Sequence, residues 1–366
     1  MHILPRSILD EGRRRMALRV AVVSTPFVSV PPKGYGGTEL VIAELAKALT
    51  ARGVEVVVYG TGDSDLPGIE VRSYFPAAQW PPDRDIEVVH ATWSLRDAAR
   101  DPRGFDVVHL HSPFAAEMAR LVPYPVVCTL HHHDVPEFSE LYLRAPEVKL
   151  VAISRSQARR ETAPVAAVVH HGLDASRYHP MDDQGYLLFL GRYDRVKGVT
   201  SAIEVAARAQ LPLVMAGEPH QREYYESEVR PLIQKHGVLE LGPVGGQRKT
   251  ALLARARALL FPIEWEEPFG LVTIEAMLSG VPVLGTARGA VPEILDDGIT
   301  GVICDDPTEM VAAARIADKL FDRRRIRARA VELWSAARMA DEYLELYRKA
   351  QAEPFVAATD AAAAEG

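Results

Sequence analysis

The sequence predicts an α/β protein with two domains, each built around a doubly wound parallel sheet. Short apolar runs typical of buried strands alternate with helical or loop segments along most of the chain, which is the pattern of a parallel sheet covered by helices. The chain has 366 residues, 48% of them hydrophobic, and can therefore bury two separate cores. Residues 178–185, with Pro180 and several acidic side chains, fit a boundary between the domains.

Charge and composition restrict the partners. The net charge of −7 and the pI of about 6.0 argue against a nucleic acid, and no apolar run approaches the ~20 residues of a membrane span. Cys128 and Cys304 lie in apolar strand-like runs, as buried thiols of a reducing cytoplasm would. We therefore expect a cytoplasmic protein with no transmembrane segment, and the sequence leaves contact with a membrane surface open.

The first domain opens with a strand, a Gly-rich loop and a helix. Residues 20–24 form the strand, and the helix begins at Thr38 with an apolar stripe. Gly36 and Gly37 lie in the loop, where a bare backbone can approach a diphosphate or a sugar closely. A glycine pair alone is usually only a turn. Further strand-like runs are expected over residues 54–59, 107–111, 126–131, 151–154 and 168–170.

Two histidine-rich stretches come at the ends of strand-like runs. His109 and His111 end one run, and residues 131–134 end the next. Open α/β sheets place their ligands at this edge. A His-x-His pair on one strand face is also a zinc-ligand pattern, but no Glu-x-x-His helix or cysteine cluster completes the set, so we predict no metal site.

Residues 264–286 predict a loop, a helix and a buried strand. Pro268 and Gly270 end the preceding segment, and Gly280 suits the C-terminal end of the helix. With a period of 3.6 residues, Glu275 falls on the apolar face, and a carboxylate there requires a partner. The apolar residues of that face are Leu271, Ile274 and Leu278.

Two interpretations of Glu275 are open: an internal ion pair with an arginine, or contact with a ligand. The helix begins with Gly270, Leu271 and Val272, whose free backbone N–H groups and positive dipole end can hold an anion. A phosphate at this N-terminus and a carboxylate one turn deeper suit a nucleotide. We therefore favour the ligand interpretation.

A basic loop follows the first strand of the second domain. Arg192 can form a fork of hydrogen bonds to phosphate oxygens, and Lys197 can act as a point charge. The alternative is a solvated basic loop. Farther along, residues 322–329 begin a long basic helix, which we expect to present a solvated face.

These motifs together resemble the family 4 retaining glycosyltransferases. Residues 267–275 are similar to the Glu-x7-Glu signature of that family, and residues 289–294 and 297–301 continue its pattern at the expected spacing. Residues 191–198 match its Gly-Arg-x5-Gly motif with the internal lysine. The resemblance covers about residues 18–350, strongly in the second domain and loosely in the first.

The resemblance implies the GT-B fold, in which two Rossmann-like domains face each other across a cleft. The first domain then binds the acceptor and the second the donor nucleotide. Residues 73–103, rich in Pro, Asp and Arg, are expected to form a long connection that bears part of the acceptor surface. The expected division is a disordered extension over 1–15, the first domain over 16–180, the second over 186–332, a helix returning to the first domain over 333–350, and a disordered tail over 351–366.

The resemblance also implies roles for individual residues. Glu267 contacts the sugar hydroxyls, Glu275 the ribose, and His111 the sugar near its anomeric carbon. Arg192 and Lys197 stabilise the leaving diphosphate in place of a divalent metal. The expected catalytic residues are therefore His111, Glu267, Arg192 and Lys197. The expected donor-binding residues also include Gly36, Gly37, Val244 beside the nucleobase, Phe269, Gly270, Leu271, Val272 and Glu275.

The predicted activity is transfer of a hexose, with retention, from a nucleoside diphosphate sugar to an acceptor hydroxyl. We expect UDP- or GDP-sugar as donor, a saccharide, lipid-linked or natural-product acceptor, and no cofactor. The pairs Asp63 with Asp65 and Asp83 with Asp85 match the Asp-x-Asp metal motif of the other large glycosyltransferase fold, but such tripeptides are common by chance. Two alternatives remain: a sugar-nucleotide 2-epimerase on the same fold and a non-catalytic sugar-nucleotide-binding protein.

Overall fold

A computed structural model of the chain describes residues 17–352. The predicted extension over 1–15 and all of the predicted tail except Gln351 and Ala352 lie outside the described residues. Within them the chain forms two parallel sheets with helices on both faces, which confirms the predicted fold class. No helix in this part of the chain combines the length and apolarity that a membrane crossing requires.

The first sheet has seven parallel strands in the order β3-β2-β1-β4-β5-β6-β7. The order reverses between β1 and β4, so the loops that leave these two strands diverge and open a crevice at their carboxyl ends. β7 lies three residues before the expected run over 168–170. The strands are β1 (Arg19–Val23), β2 (Glu55–Gly60), β3 (Glu70–Ser73), β4 (Val107–Leu110), β5 (Val126–Thr129), β6 (Lys149–Ala152) and β7 (Val165–Val168).

Five helices connect the strands of the first sheet. The first of them buries its predicted apolar stripe, with Val41, Leu45 and Leu49 in the core. These helices are α1 (Gly37–Thr50), α2 (Arg84–Arg100), α3 (Pro113–Glu117), α4 (Pro136–Leu143) and α5 (Arg155–Arg160).

The long connection predicted over residues 73–103 is wrong, because most of it is the 17-residue helix α2. Asp83 caps this helix by accepting hydrogen bonds from the backbone N–H groups of Asp85 and Ile86. The buried face of α2 includes the polar residues Glu87 and His90, so the sequence shows no clear apolar stripe. The Asp-x-Asp pattern at Asp83 is therefore a helix start.

The second sheet has six parallel strands in the order β10-β9-β8-β11-β12-β13, and it reverses between β8 and β11. Its strands are β8 (Leu187–Leu190), β9 (Leu213–Ala216), β10 (Leu239–Glu240), β11 (Ala258–Phe261), β12 (Val283–Thr286) and β13 (Gly301–Cys304). The helices of the second domain, in chain order, are α6 (Val199–Ala209), α7 (Arg222–Tyr224), α8 (Arg230–His236), α9 (Gly246–Arg255), α10 (Leu271–Leu278), α11 (Val291–Ile294), α12 (Pro307–Leu320) and α13 (Arg323–Trp334).

The chain crosses between the domains twice, and the two crossings pair with each other. Leu173 donates its N–H to Trp334 O (2.9 Å) and accepts from Ala336 N (2.9 Å). The last helix, α14 (Ala336–Ala352), then packs on α1 and on β4 and β5 of the first domain. It extends two residues beyond the expected end at 350.

We expect Gly172→Ala to destabilise this double crossing. A Cβ at Gly172 would overlap the carbonyl of Ser335, which is backbone and cannot rotate away. The free energy of unfolding should fall by about 1–3 kcal/mol, measured by urea denaturation. Gly34→Ala is the control, because a Cβ there meets nothing within 4 Å. Equal stability of the two variants would show that the crossing is not tightly packed.

The expectation of a solvated basic face on residues 322–329 is wrong for two arginines. Arg323 donates to Ala254 O and Ala256 O, and Arg327 donates to the carbonyls of Leu278 and Tyr178. Carbonyls at helix ends and in linkers lack backbone donors, and a guanidinium supplies several at once. These arginines therefore connect α13 to the C-terminal ends of α9 and α10 and to the linker.

Candidate active site

The two points of strand reversal bring the predicted site loops to one cleft. The Gly-rich loop follows β1 and His111 follows β4, while Arg192 follows β8. The two domains touch here, because a Cβ on Gly37 would lie 3.3 Å from Leu271 Cδ1. Ligands of open α/β sheets bind at this position.

Helices α1 and α10 both begin at this contact. The N-terminal cap of each helix is a glycine, Gly36 in α1 and Gly270 in α10. Neither cap residue therefore has a side chain that could accept a hydrogen bond from the first N–H groups. Gly270 has φ +87°, and a Cβ there would lie 3.0 Å from Phe261 Cζ. The positive dipole ends of two helices therefore face one space, which favours an anion between them.

Glu275 is buried on α10 and has internal partners. Lys249 Nζ lies 2.7 Å from Glu275 Oε1, and the Tyr178 hydroxyl donates to the same oxygen over 3.0 Å. Glu275 therefore forms an internal ion pair, as one of the two interpretations from the sequence predicted. Its partner is a lysine on α9 and not the expected arginine. Both contacts use Oε1, so the pair does not occupy Oε2.

Glu267 is buried in the loop before α10 and forms an ion pair with Lys197, another predicted site residue. Lys197 Nζ lies 2.5 Å from Glu267 Oε2, and Trp265 Nε1 donates to the same oxygen over 2.9 Å. The ammonium also lies 4.5 Å from the centre of the Trp265 ring. The backbone of Glu267 is held by Ala290, whose N–H donates to Glu267 O over 2.9 Å. A side chain at Gly289 would overlap the backbone of Glu267.

Arg192 has no such partner. Its Nε is buried without a hydrogen bond, and its guanidinium forms no ion pair with any carboxylate of residues 17–352. Arg195, three residues later, is exposed and pairs with Glu228. A partly buried guanidinium without an acceptor is costly, and an anion bound beside Arg192 would supply that acceptor.

His111 lies in a row of buried aromatic rings that crosses the domain boundary. Its Nδ1 is 2.8 Å from His131 Nε2, and its Nε2 is buried with no partner in the described part of the chain. Burial lowers the pKa of His111 well below 6.5, and the neighbouring imidazoles lower it further. The row continues through His171 to Phe269 of the second domain, with ring centres 4.8 Å apart.

His109 is a hydrogen-bonded residue of the core of the first domain. Its Nδ1 is 2.7 Å from the Tyr347 hydroxyl and its Nε2 is 2.7 Å from Thr129 Oγ1. No group of three or more His, Cys, Asp or Glu side chains within residues 17–352 is arranged to hold a metal ion.

The other residues predicted to bind the donor nucleotide differ in how far they are exposed. Leu271 and Val272 are half-buried at the start of α10, and Val244 lies in the loop before α9. Phe269 is only 2% exposed and packs between His171 and Trp334, so only its backbone can reach a ligand.

Glu293 makes a contact between the domains that sequence reasoning missed. Its carboxylate accepts hydrogen bonds from Arg155 N (2.8 Å) and Ser156 N (2.9 Å) at the start of α5, and lies 3.2 Å from His170 Nε2. Burial alone would raise the pKa of Glu293, but these hydrogen bonds outweigh burial and lower it. The carboxylate thereby joins α11 of the second domain to the first domain.

The fold and this site define a GT-B glycosyltransferase, and comparison with known proteins agrees. The family profile for "Glycosyltransferase Family 4" matches residues 35–209, and that for "Glycosyl transferases group 1" matches residues 175–332. The structure of AviGT4, a glycosyltransferase involved in avilamycin A biosynthesis, superposes with a TM-score of 0.71 at 30% identity, over 92% of this chain and 98% of that one. The chain therefore belongs to glycosyltransferase family 4.

Curated relatives share less sequence. The D-inositol 3-phosphate glycosyltransferase of Acidothermus cellulolyticus is 27% identical over 94% of this chain and 92% of its own. The glycogen synthase of Mycobacterium tuberculosis strain H37Rv is 28% identical over 85% and 89%. HepE of Anabaena, solved with UDP and glucose, has a TM-score of 0.70 at 16% identity, over 90% and 99%, and shares the fold.

Proposed function

We propose that the protein is a retaining glycosyltransferase that transfers a hexose from a nucleoside diphosphate sugar to an acceptor hydroxyl. The observation that carries the proposal is Arg192, a guanidinium without a protein partner in a loop that also supplies Lys197. Two helix N-termini face the same cleft. A dianionic diphosphate matches the charge and the donors of this place.

Each remaining residue has a part in this binding mode. Oε2 of Glu275 accepts from the ribose hydroxyls, while Lys249 and Tyr178 hold the carboxylate through Oε1. Glu267 contacts the sugar hydroxyls, and Lys197 shifts from Glu267 toward the phosphates. His111, kept neutral by burial, offers Nε2 to the sugar as a hydrogen-bonding group and not as a charge.

The reaction then proceeds by front-face displacement. The bond between the anomeric carbon and the diphosphate oxygen breaks as the acceptor oxygen approaches on the same face. The leaving oxygen takes the acceptor proton, and Arg192 and Lys197 stabilise its negative charge. The acceptor is a saccharide, lipid-linked or natural-product hydroxyl on the first-domain side of the cleft. Two buried free thiols, Cys128 and Cys304, are consistent with a cytoplasmic enzyme.

Incubation with labelled UDP-hexoses and GDP-hexoses, followed by product analysis, tests this function. Transfer or slow hydrolysis that releases nucleoside diphosphate is the expected result. An epimerised donor or binding without turnover would instead establish one of the alternative functions.

We expect the reaction to be independent of a divalent metal. Arg192 and Lys197 supply the positive charge that a metal supplies in other sugar-nucleotide enzymes. Turnover with the identified donor, measured with and without excess EDTA, should differ by less than about twofold. Loss of activity with EDTA and its recovery with manganese would contradict this assignment.

A further inference from the structure

The Gly-rich loop of the first domain reaches across the cleft on both sides of Tyr35. On one side, a Cβ at Gly245 of the second domain would lie 3.7 Å from Gly34 Cα. On the other, a Cβ at Gly37 would lie 3.3 Å from Leu271 Cδ1. The first contact is to the loop before α9 and the second to the start of α10. Tyr35 therefore lies between two segments of the second domain, the loop before α9 and the start of α10, which are next to the proposed nucleotide position.

The side chain of Tyr35 is 64% exposed, although both of its flanks are in contact. Its hydroxyl forms no hydrogen bond with any of residues 17–352. Surrounding protein atoms raise the pKa of Tyr35; Arg192 opposes this, while Glu267 and Glu275 add to it. The phenol therefore stays protonated at neutral pH and can donate a hydrogen bond.

An exposed tyrosine on a loop is common and by itself indicates nothing. Tyr74 of the same domain, 51% exposed, illustrates this, because it packs on Phe75 and Trp93 of its own domain. Tyr35 differs because residues on both sides of it in the chain, Gly34 and Gly37, contact the opposite domain. Gly37 contacts Leu271 at the start of α10, so Tyr35 lies beside the helix N-terminus at which the diphosphate is proposed to bind.

We propose that Tyr35 is a donor-binding residue of the first domain, whose hydroxyl donates a hydrogen bond to the β-phosphate of the nucleoside diphosphate sugar. This inference rests on the proposed function and extends it, because it adds a contact from the first domain to the diphosphate of the donor. The β-phosphate is the group that lies between Arg192 and the sugar held by Glu267.

Calorimetric titration of Tyr35→Phe, Tyr35→Ala and the control Tyr74→Phe tests the contact. The titrants are UDP, GDP, UMP and GMP. Tyr35→Phe should weaken the diphosphate that wild type binds by roughly 10- to 100-fold, as loss of a hydrogen bond to a charged group does. The affinity for the matching monophosphate should stay within about twofold of wild type, because the monophosphate lacks the β-phosphate. Tyr35→Ala should lose at least as much affinity, and Tyr74→Phe should match wild type.

Three results would overturn the inference. Normal diphosphate affinity in Tyr35→Phe would mean that the hydroxyl makes no contact, even if Tyr35→Ala binds weakly through loss of the ring. An equal loss for the monophosphate would move the contact to the base or ribose. A wild-type protein that binds neither UDP nor GDP would overturn the proposed function itself. Melting temperatures of all variants should agree within error, since Tyr35 is outside the core.

Discussion

Replacing Arg192 with methionine should lower turnover by about 10²- to 10³-fold without lowering stability. In the proposed reaction the guanidinium stabilises charge on the leaving diphosphate, and removal of one such donor costs about 3–4 kcal/mol of transition-state stabilisation. In the protein alone, however, Arg192 has a buried Nε without an acceptor. A methionine of similar length removes that unsatisfied group, so the melting temperature should stay constant or rise.

Arg195→Met is the matched control, because Arg195 lies in the same loop but is exposed and pairs with Glu228. It should change turnover by less than about threefold. Donor turnover and thermal unfolding of the two variants give the comparison. A parallel loss of activity and melting temperature in Arg192→Met would show that Arg192 supports the loop and does not serve the reaction.

Glu275→Gln and Glu267→Gln should separate nucleotide binding from turnover. Glu275→Gln removes the charge at the ribose position and should weaken nucleoside diphosphate by about 1–3 kcal/mol. It also leaves the ammonium of Lys249 without its carboxylate, so the protein should lose stability. Glu267→Gln should barely alter the affinity for nucleoside diphosphate, yet reduce turnover strongly.

The double variant Glu275→Gln with Lys249→Gln distinguishes the two roles of Glu275. Removing both charges should restore most of the melting temperature, because no unpaired ammonium remains, but should not restore nucleotide affinity. Calorimetric titration and thermal unfolding provide both quantities. If affinity returns together with stability, Glu275 acts only through the ion pair and the ribose assignment is wrong.

Local patterns predicted most of the fold. Alternating strand and helix signals specify a parallel sheet, because each buried strand must be uniformly apolar and each crossover needs a helix. The pattern failed at α2, whose inner face carries Glu87 and His90 and therefore lacks an apolar stripe. Asp83 at its start is a favourable cap residue and was the one available signal.

The partners of charged side chains could not be predicted from local patterns. The period of 3.6 residues placed Glu275 on a buried face, but Lys249 lies 26 positions earlier, on a different helix. Glu293 and Arg327 likewise bond backbone groups that are more than 100 positions away in the chain. Such contacts depend on how the two sheets are placed relative to each other. Local patterns in one sequence do not determine that placement.

Helix α14 has a consequence for the order in which the protein is made. It follows every other described element in the chain, yet the hydroxyls of its Tyr343 and Tyr347 bond Thr129 and His109 in the core of the first domain. Until α14 leaves the ribosome, Thr129 and His109 lack their tyrosine partners, and the face of α1 that α14 covers is open to water. The domain that is translated first is therefore completed last, after the second domain already has all of its strands.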